Sequence, residues 1–213
     1  MITNRPDFSE YLAHFTRDGA PYGIKDPDNP VNSFSSMTAG ERLISILNSC
    51  EIKASNMPWT GRHAVAFTEC PWSSLLDHAK KYSSFGVGFS KPRVFAAGGG
   101  PVYYVRADHY EKQTWVDDLH TFVTPFWPEY RAAKFKDKKF LGGTTVDYSH
   151  EREWRVPHDF SFKLEQVEFV VLPTYREMAK FPEKLKDAIG REKFLLMEVY
   201  RTVERLWPVH NIN

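Results

Sequence analysis

The sequence predicts an α+β fold, and three stretches carry that prediction. "VEFVVLP" (167–173) is rich in β-branched residues and is stopped by proline, which reads as a buried strand. Thr38 and Glu41 stand at capping-box spacing ahead of Leu43, Ile44, Ile46 and Leu47, an apolar face of helical period running through Asn48. The stretch from Tyr175 to Pro208 is mostly helical by spacing, with Leu196, Val199, Val203 and Leu206 on one side. With no internal repeat and no low-complexity tract, one compact domain over residues 1–213 is the simplest account, its C-terminal helical part beginning near residue 174.

The remaining elements follow in chain order. "EYLAHFT" (10–16) is a short apolar and aromatic run that reads as a strand, and the next stretch carries Gly, Pro and Asp turn signals. After the capped helix come a strand fragment at "EIK", a strand "AVAFT" (64–68), and a helix with Pro71 in its first turn, where the missing N–H costs nothing. Two glycine-punctuated strands, "FGVGF" (85–89) and "PVYYV" (101–105), are separated by "SKPRVFAAGGG"; small residues there suit a sharp turn or a backbone lying close to a ligand. Residues 109–146 read as a helix plus an irregular connection, because prolines interrupt the period while the aromatics argue against disorder.

Composition narrows the function classes. The chain has 213 residues, 42% hydrophobic and 26% charged, which excludes the disordered and membrane classes. Aromatic residues make up 15%, offering both core mass and stacking surface for a flat ligand. A net charge of +1 supplies no global field toward nucleic acid or membrane, so such binding needs a local patch. The best local candidate is the basic run Arg131, Lys134, Lys136, Lys138 and Lys139, which equally suits a solvated helix face. Cys50 and Cys70 lack metal or redox spacing, no His pair has metal-ligand spacing, and no signal-peptide stretch or membrane-length apolar run occurs. A reduced, cytoplasmic, metal-free protein is expected.

The stretch "EREWRV" (151–156) is the most unusual motif. Read as a strand, it places Glu151, Glu153 and Arg155 on one face and Arg152, Trp154 and Val156 on the other. Two carboxylates beside a guanidinium form a candidate reactive set. The same alternation also suits a solvent-facing strand whose charges pair with neighbours for a few tenths of a kcal/mol each. No phosphate-binding Walker loop, dinucleotide-binding turn or nucleophile elbow is present.

Taken in order, "HFT", "LISILNSC", "AVAFTECP", "KYSSFGVGFSK", "GGGPVYYV" and "EREWRV" resemble the AbiGi family of abortive-infection proteins and, more distantly, DarT-type ADP-ribosyltransferases. The resemblance spans roughly residues 11–172 and implies an ADP-ribosyltransferase-like split β-sandwich with flanking helices, whose cleft holds NAD as substrate. His14 and Thr16 would then contact the NAD ribose and nicotinamide, with Tyr82, Phe85 and Phe89 around the nicotinamide. Glu153 would be the catalytic glutamate, Glu151 the second, and Arg155 a partner for the pyrophosphate. A carboxylate fixed near the sugar would hold its 2-hydroxyl and stabilise the oxocarbenium-like centre formed when the nicotinamide bond breaks.

Two function classes compete on this reading, with a third beside them. The first is a phage-defence toxin or effector that cleaves NAD and transfers ADP-ribose to a macromolecule, with DNA or RNA as the acceptor by analogy. The second rests on the description of the AbiGi family as an antitoxin: a non-catalytic protein that binds a cognate toxin or other protein partner, with "EREWRV" serving as structure. An RNA-processing enzyme using His and Glu as acid and base without NAD is the third.

Overall fold

A computed structural model describes residues 9–19, 36–57, 60–69, 82–126 and 149–206 of the chain. In chain order the elements begin with β1 (Tyr11–Phe15), α1 (Ala39–Ser49), β2 (Glu51–Ile52), β3 (Ser55–Asn56), β4 (His63–Thr68) and β5 (Gly86–Ser90). Next come α2 (Lys91–Ala96), β6 (Gly100–Pro101), β7 (Tyr103–Arg106), α3 (Ala107–Tyr110), α4 (Asp117–His120) and β8 (Val123–Phe126). A 3-10 turn (Ser149–Glu151) leads into β9 (Glu153–Val156), β10 (Phe160–Ser161), β11 (Phe169–Leu172), α5 (Tyr175–Lys180), α6 (Glu183–Ile189), β12 (Phe194–Leu196) and α7 (Met197–Leu206). The architecture is mixed α+β. The expected helix at Pro71 and the basic run from Arg131 to Lys139 lie outside the described residues.

The main sheet has the order β12-β11-β5-β1-β4-β9-β6, with β3 also paired to β4, and two small two-stranded sheets, β10-β2 and β7-β8, stand beside it. β1 is the central strand. It pairs with β5 over five residues, from Tyr11↔Ser90 to Phe15↔Gly86, but meets β4 at one pair, Ala13↔Thr68. β4 pairs with β9 from Val65↔Val156 to Thr68↔Glu153.

Alternation along these strands sets two faces. Leu12, Val65, Phe67, Val87, Phe89, Val156, Val170 and Leu172 form the larger core with Leu43 and Leu47 of α1 and with Ile52, Phe160 and Phe162. Phe67, Phe89 and Phe160 meet edge to face, with ring centroids 4.9 to 6.2 Å apart, the geometry that aromatic quadrupoles favour. On the opposite face Ala13, Phe169, Val171 and the fully buried Met197 pack together, with Phe15, Leu195 and Tyr200 alongside.

α1 forms where its sequence signals place it. Thr38 Oγ1 accepts the Glu41 N–H, and the Glu41 carboxylate accepts the Thr38 N–H at 2.8 Å. At its end Cys50 takes the left-handed conformation (φ 53°) where glycine is common, and its N–H closes on the Ile46 carbonyl.

Three expectations need correction. β8 lies inside the stretch read as irregular; its Pro125 is tolerated because β7 and β8 form only a two-stranded ladder, where a missing donor costs little. Leu196 belongs to β12, parallel to β11, rather than to a helix. In α7 the sheet-facing residues are Met197 and Tyr200, while Val199, expected on the buried side, is 54% exposed.

Candidate functional site

The polar residues of interest gather where β4 ends and β9 begins. β9 begins at Glu153, because Glu151 closes the 3-10 turn and Arg152 has φ 45°, a left-handed backbone incompatible with a strand. The expected single face of Glu151, Glu153 and Arg155 is therefore corrected to Glu153 and Arg155 alone. Trp154 and Val156 do occupy the other face, against the larger core.

Glu151 is nonetheless held nearby. It is 7% exposed, the Tyr82 hydroxyl donates to its carboxylate at 3.1 and 3.2 Å, and its backbone carbonyl accepts the Thr68 hydroxyl at 2.6 Å. Tyr104 stands beside both glutamates. Its hydroxyl accepts the Glu153 N–H at 3.1 Å, and its pKa is pushed up to about 12, chiefly by burial and then by the two carboxylates, against the pull of that N–H and of Arg155.

Arg155 is 2% exposed and makes five hydrogen bonds, as many as a guanidinium has N–H groups. Two run to the Glu153 carboxylate, at 2.7 and 3.1 Å. The other three reach the carbonyls of Thr121 (2.7 Å) and Val123 (3.2 Å) and the hydroxyl of Thr124 (2.7 Å). The pair thus ties β9 to β8 and to Thr121 just before it, and the donors of Arg155 are spent on the protein itself.

His14 lies elsewhere. Ala13 pairs with Thr68, and Thr68 pairs with Glu153, so these three share one face of the sheet. His14, one residue on from Ala13, points to the other face and meets Phe67 edge-on at 6.0 Å. Its Nδ1–H donates to the Ala66 carbonyl at 2.8 Å, bridging strands whose ladder has opened after one pair. Burial, more than its other surroundings, holds its pKa below the ordinary 6.5; the Ala66 bond opposes that shift and Arg42 adds to it.

The remaining candidates on the His14 side are built into the fold. Thr16 is 2% exposed and donates to the Ala39 carbonyl at 2.7 Å, Phe85 packs against the larger core, and Phe89 lies at its centre. The structure brings Glu151, Glu153, Arg155 and Tyr82 to one end of the β4-β9 pair. It sets His14, Thr16, Phe85 and Phe89 on the opposite face. Among the described residues, no group of three or more His, Cys, Asp or Glu side chains could hold a metal ion, and no helix is long and apolar enough to cross a membrane.

A second feature has no counterpart in the sequence reading. A shallow, open depression of about 480 Å³ is lined by Arg62, His63, Asp117, Asp118, Thr121 and Phe122, among others. Arg62 and Asp117 form an ion pair across it. Beside it Val116, Tyr103 and Leu119 are 67%, 53% and 48% exposed. Tyr103 and Leu119 offered no signal, since exposed apolar residues cannot be told from core ones by type alone.

The α+β frame thus sets a charged motif engaged in internal pairing near an exposed apolar and acidic surface. The chain matches the family model described as "Putative abortive phage resistance protein AbiGi, antitoxin" over residues 53–186, more than half its length, and it belongs to that family. No curated protein and no solved structure matches it. The family match carries the AbiGi part of the sequence resemblance and not the DarT part. It also overturns the first functional expectation, an NAD-cleaving toxin, because the family is described as an antitoxin.

Proposed function

We propose that this protein is the non-catalytic antitoxin of an abortive-infection pair and acts by binding a cognate toxin protein. The observation that carries this reading is the family match over residues 53–186. The geometry supports it, since the most conspicuous charged motif is engaged internally at Glu153 and Arg155 while exposed apolar side chains remain on the neighbouring segment. The same proposal reads the frame as an ADP-ribosyltransferase-like scaffold turned to binding. An early strand with His14, the glycine-punctuated β5 and a late strand with Glu153 follow in the expected order, although His14 and Glu153 face opposite sides.

The test is co-expression with the product of the adjacent gene. Expression of that product alone should arrest growth, and this protein should restore growth and co-elute with it in a defined ratio. Growth arrest that persists despite equal amounts of both folded proteins would refute the antitoxin role.

A further inference from the structure

We infer that the surface formed by Tyr103, Val116, Leu119 and Asp118 is the docking site for the partner toxin, and that it receives a segment presenting an arginine or lysine beside apolar side chains. This rests on the antitoxin reading above and adds to it a location and a chemistry of recognition.

The surface is contiguous by its backbone. The Tyr103 N–H donates to the Phe122 carbonyl (2.8 Å), the Phe122 N–H to that of Leu119 (2.9 Å), and the His120 N–H to that of Val116 (2.8 Å). Three large exposed apolar side chains thus lie on backbone segments bonded to one another, and exposed apolar residues gathered in this way mark interaction sites.

Charge selects the partner. Arg62 is already engaged by Asp117, whereas Asp118, which also lines the depression, is exposed and has no ion-pair partner among the described residues. One Arg against two Asp leaves a negative charge in excess, which a basic anchor on the toxin would satisfy at the edge of an apolar contact.

The surface is also held in place before binding. Arg155 pins Thr121, Val123 and Thr124, which follow Leu119 in the chain and adjoin Tyr103 across the β7-β8 ladder, so the surface loses little freedom on association. This gives "EREWRV" its purpose on this reading: Glu153 fixes Arg155, and Arg155 fixes the platform.

The decisive experiment titrates the purified adjacent-gene product into wild type, Leu119→Asp, Asp118→Lys and a control, Tyr175→Asp, which lies on α5 and is 70% exposed. Sedimentation of each form alone reports self-association, and urea unfolding checks that each is folded. Leu119→Asp should weaken binding roughly a hundredfold, as loss of a central anchor does. Asp118→Lys should weaken it about tenfold, mainly through slower association, with Tyr175→Asp unchanged. Equal affinity in all four forms would remove this surface as the docking site and leave the antitoxin reading intact. No binding even by wild type would remove both. A wild-type dimer that Leu119→Asp dissolves would assign the surface to a second copy of this chain instead.

Discussion

At the scale of single residues, Arg155 and Glu153 show how a motif can look reactive and act as a brace. A buried guanidinium is tolerable only when its donors are satisfied and its charge is matched, and both conditions are met here. Replacing it with an apolar side chain leaves a partly buried carboxylate and three acceptors without their donor. Arg155→Met is therefore expected to cost about 3–5 kcal/mol in urea unfolding. Glu153→Gln, which leaves the buried guanidinium without its counter-charge and turns an amide N–H toward one of its donors, should cost a comparable amount, about 3–5 kcal/mol; an unchanged urea midpoint in either variant would contradict the brace. His14 makes a second prediction through pH. Its folded pKa is lowered from 6.5, so between the folded value and 6.5 the unfolded chain binds more protons. Stability should thus be fully present above about pH 6.5 and fall as pH drops through that window. His14→Gln, which keeps an N–H for Ala66, should flatten the loss between pH 7.5 and 5.5 in urea midpoints; a slope identical to wild type would place the acid sensitivity elsewhere.

At the scale of elements, what was legible depended on whether the cause lay within a few residues. The α1 start was legible because Thr38 and Glu41 cap each other locally. β11 was legible because Phe169, Val170, Val171 and Leu172 are all buried, giving an unbroken apolar run. The break at Arg152 was not, because a positive φ leaves no trace in an alternating run of charged and apolar residues. Nor was the role of Arg155, whose partners stand more than thirty positions away at Thr121 to Thr124. The glycines of "FGVGF" stand where the protein's own aromatic side chains approach the backbone. A Cβ at Gly88 would sit 2.2 to 2.5 Å from the Phe169 ring, and one at Gly86 would sit 2.9 Å from Phe15. Gly88→Ala should therefore destabilise by about 1–3 kcal/mol through overpacking. Pairing it with Phe169→Leu should recover part of that loss, whereas strictly additive losses would mean the strain arises elsewhere.

At the scale of the whole molecule, the family match and the folding unit do not coincide. Residues 53–186 include β4, β5, β9 and β11 but omit β1, which stands between β5 and β4, as well as α1, whose Leu43 and Leu47 are fully buried in the larger core. They also omit β12, which pairs with β11 at three positions, and Met197, which is fully buried on the opposite face. Without β1, the facing edges of β4 and β5 lose their ladder partner, and burial of Leu12 and Ala13 disappears from the two faces at once. Burying each large apolar side chain is worth about 1.5–3 kcal/mol, so losing Leu12, Leu43, Leu47 and Met197 together approaches the entire stability of a typical domain. Residues 53–186 expressed alone should thus show no cooperative urea transition and should bind an apolar dye, whereas residues 9–206 should unfold in one sharp step. Of the conspicuous motifs in the matched span, "FGVGF" takes its longest ladder from β1, which the family match does not reach, whereas "EREWRV" pairs with β4 and β6 inside it. A cooperative transition in the shorter piece would mean that β4 and β5 can pair directly, and that β1 is an addition to the frame rather than its centre.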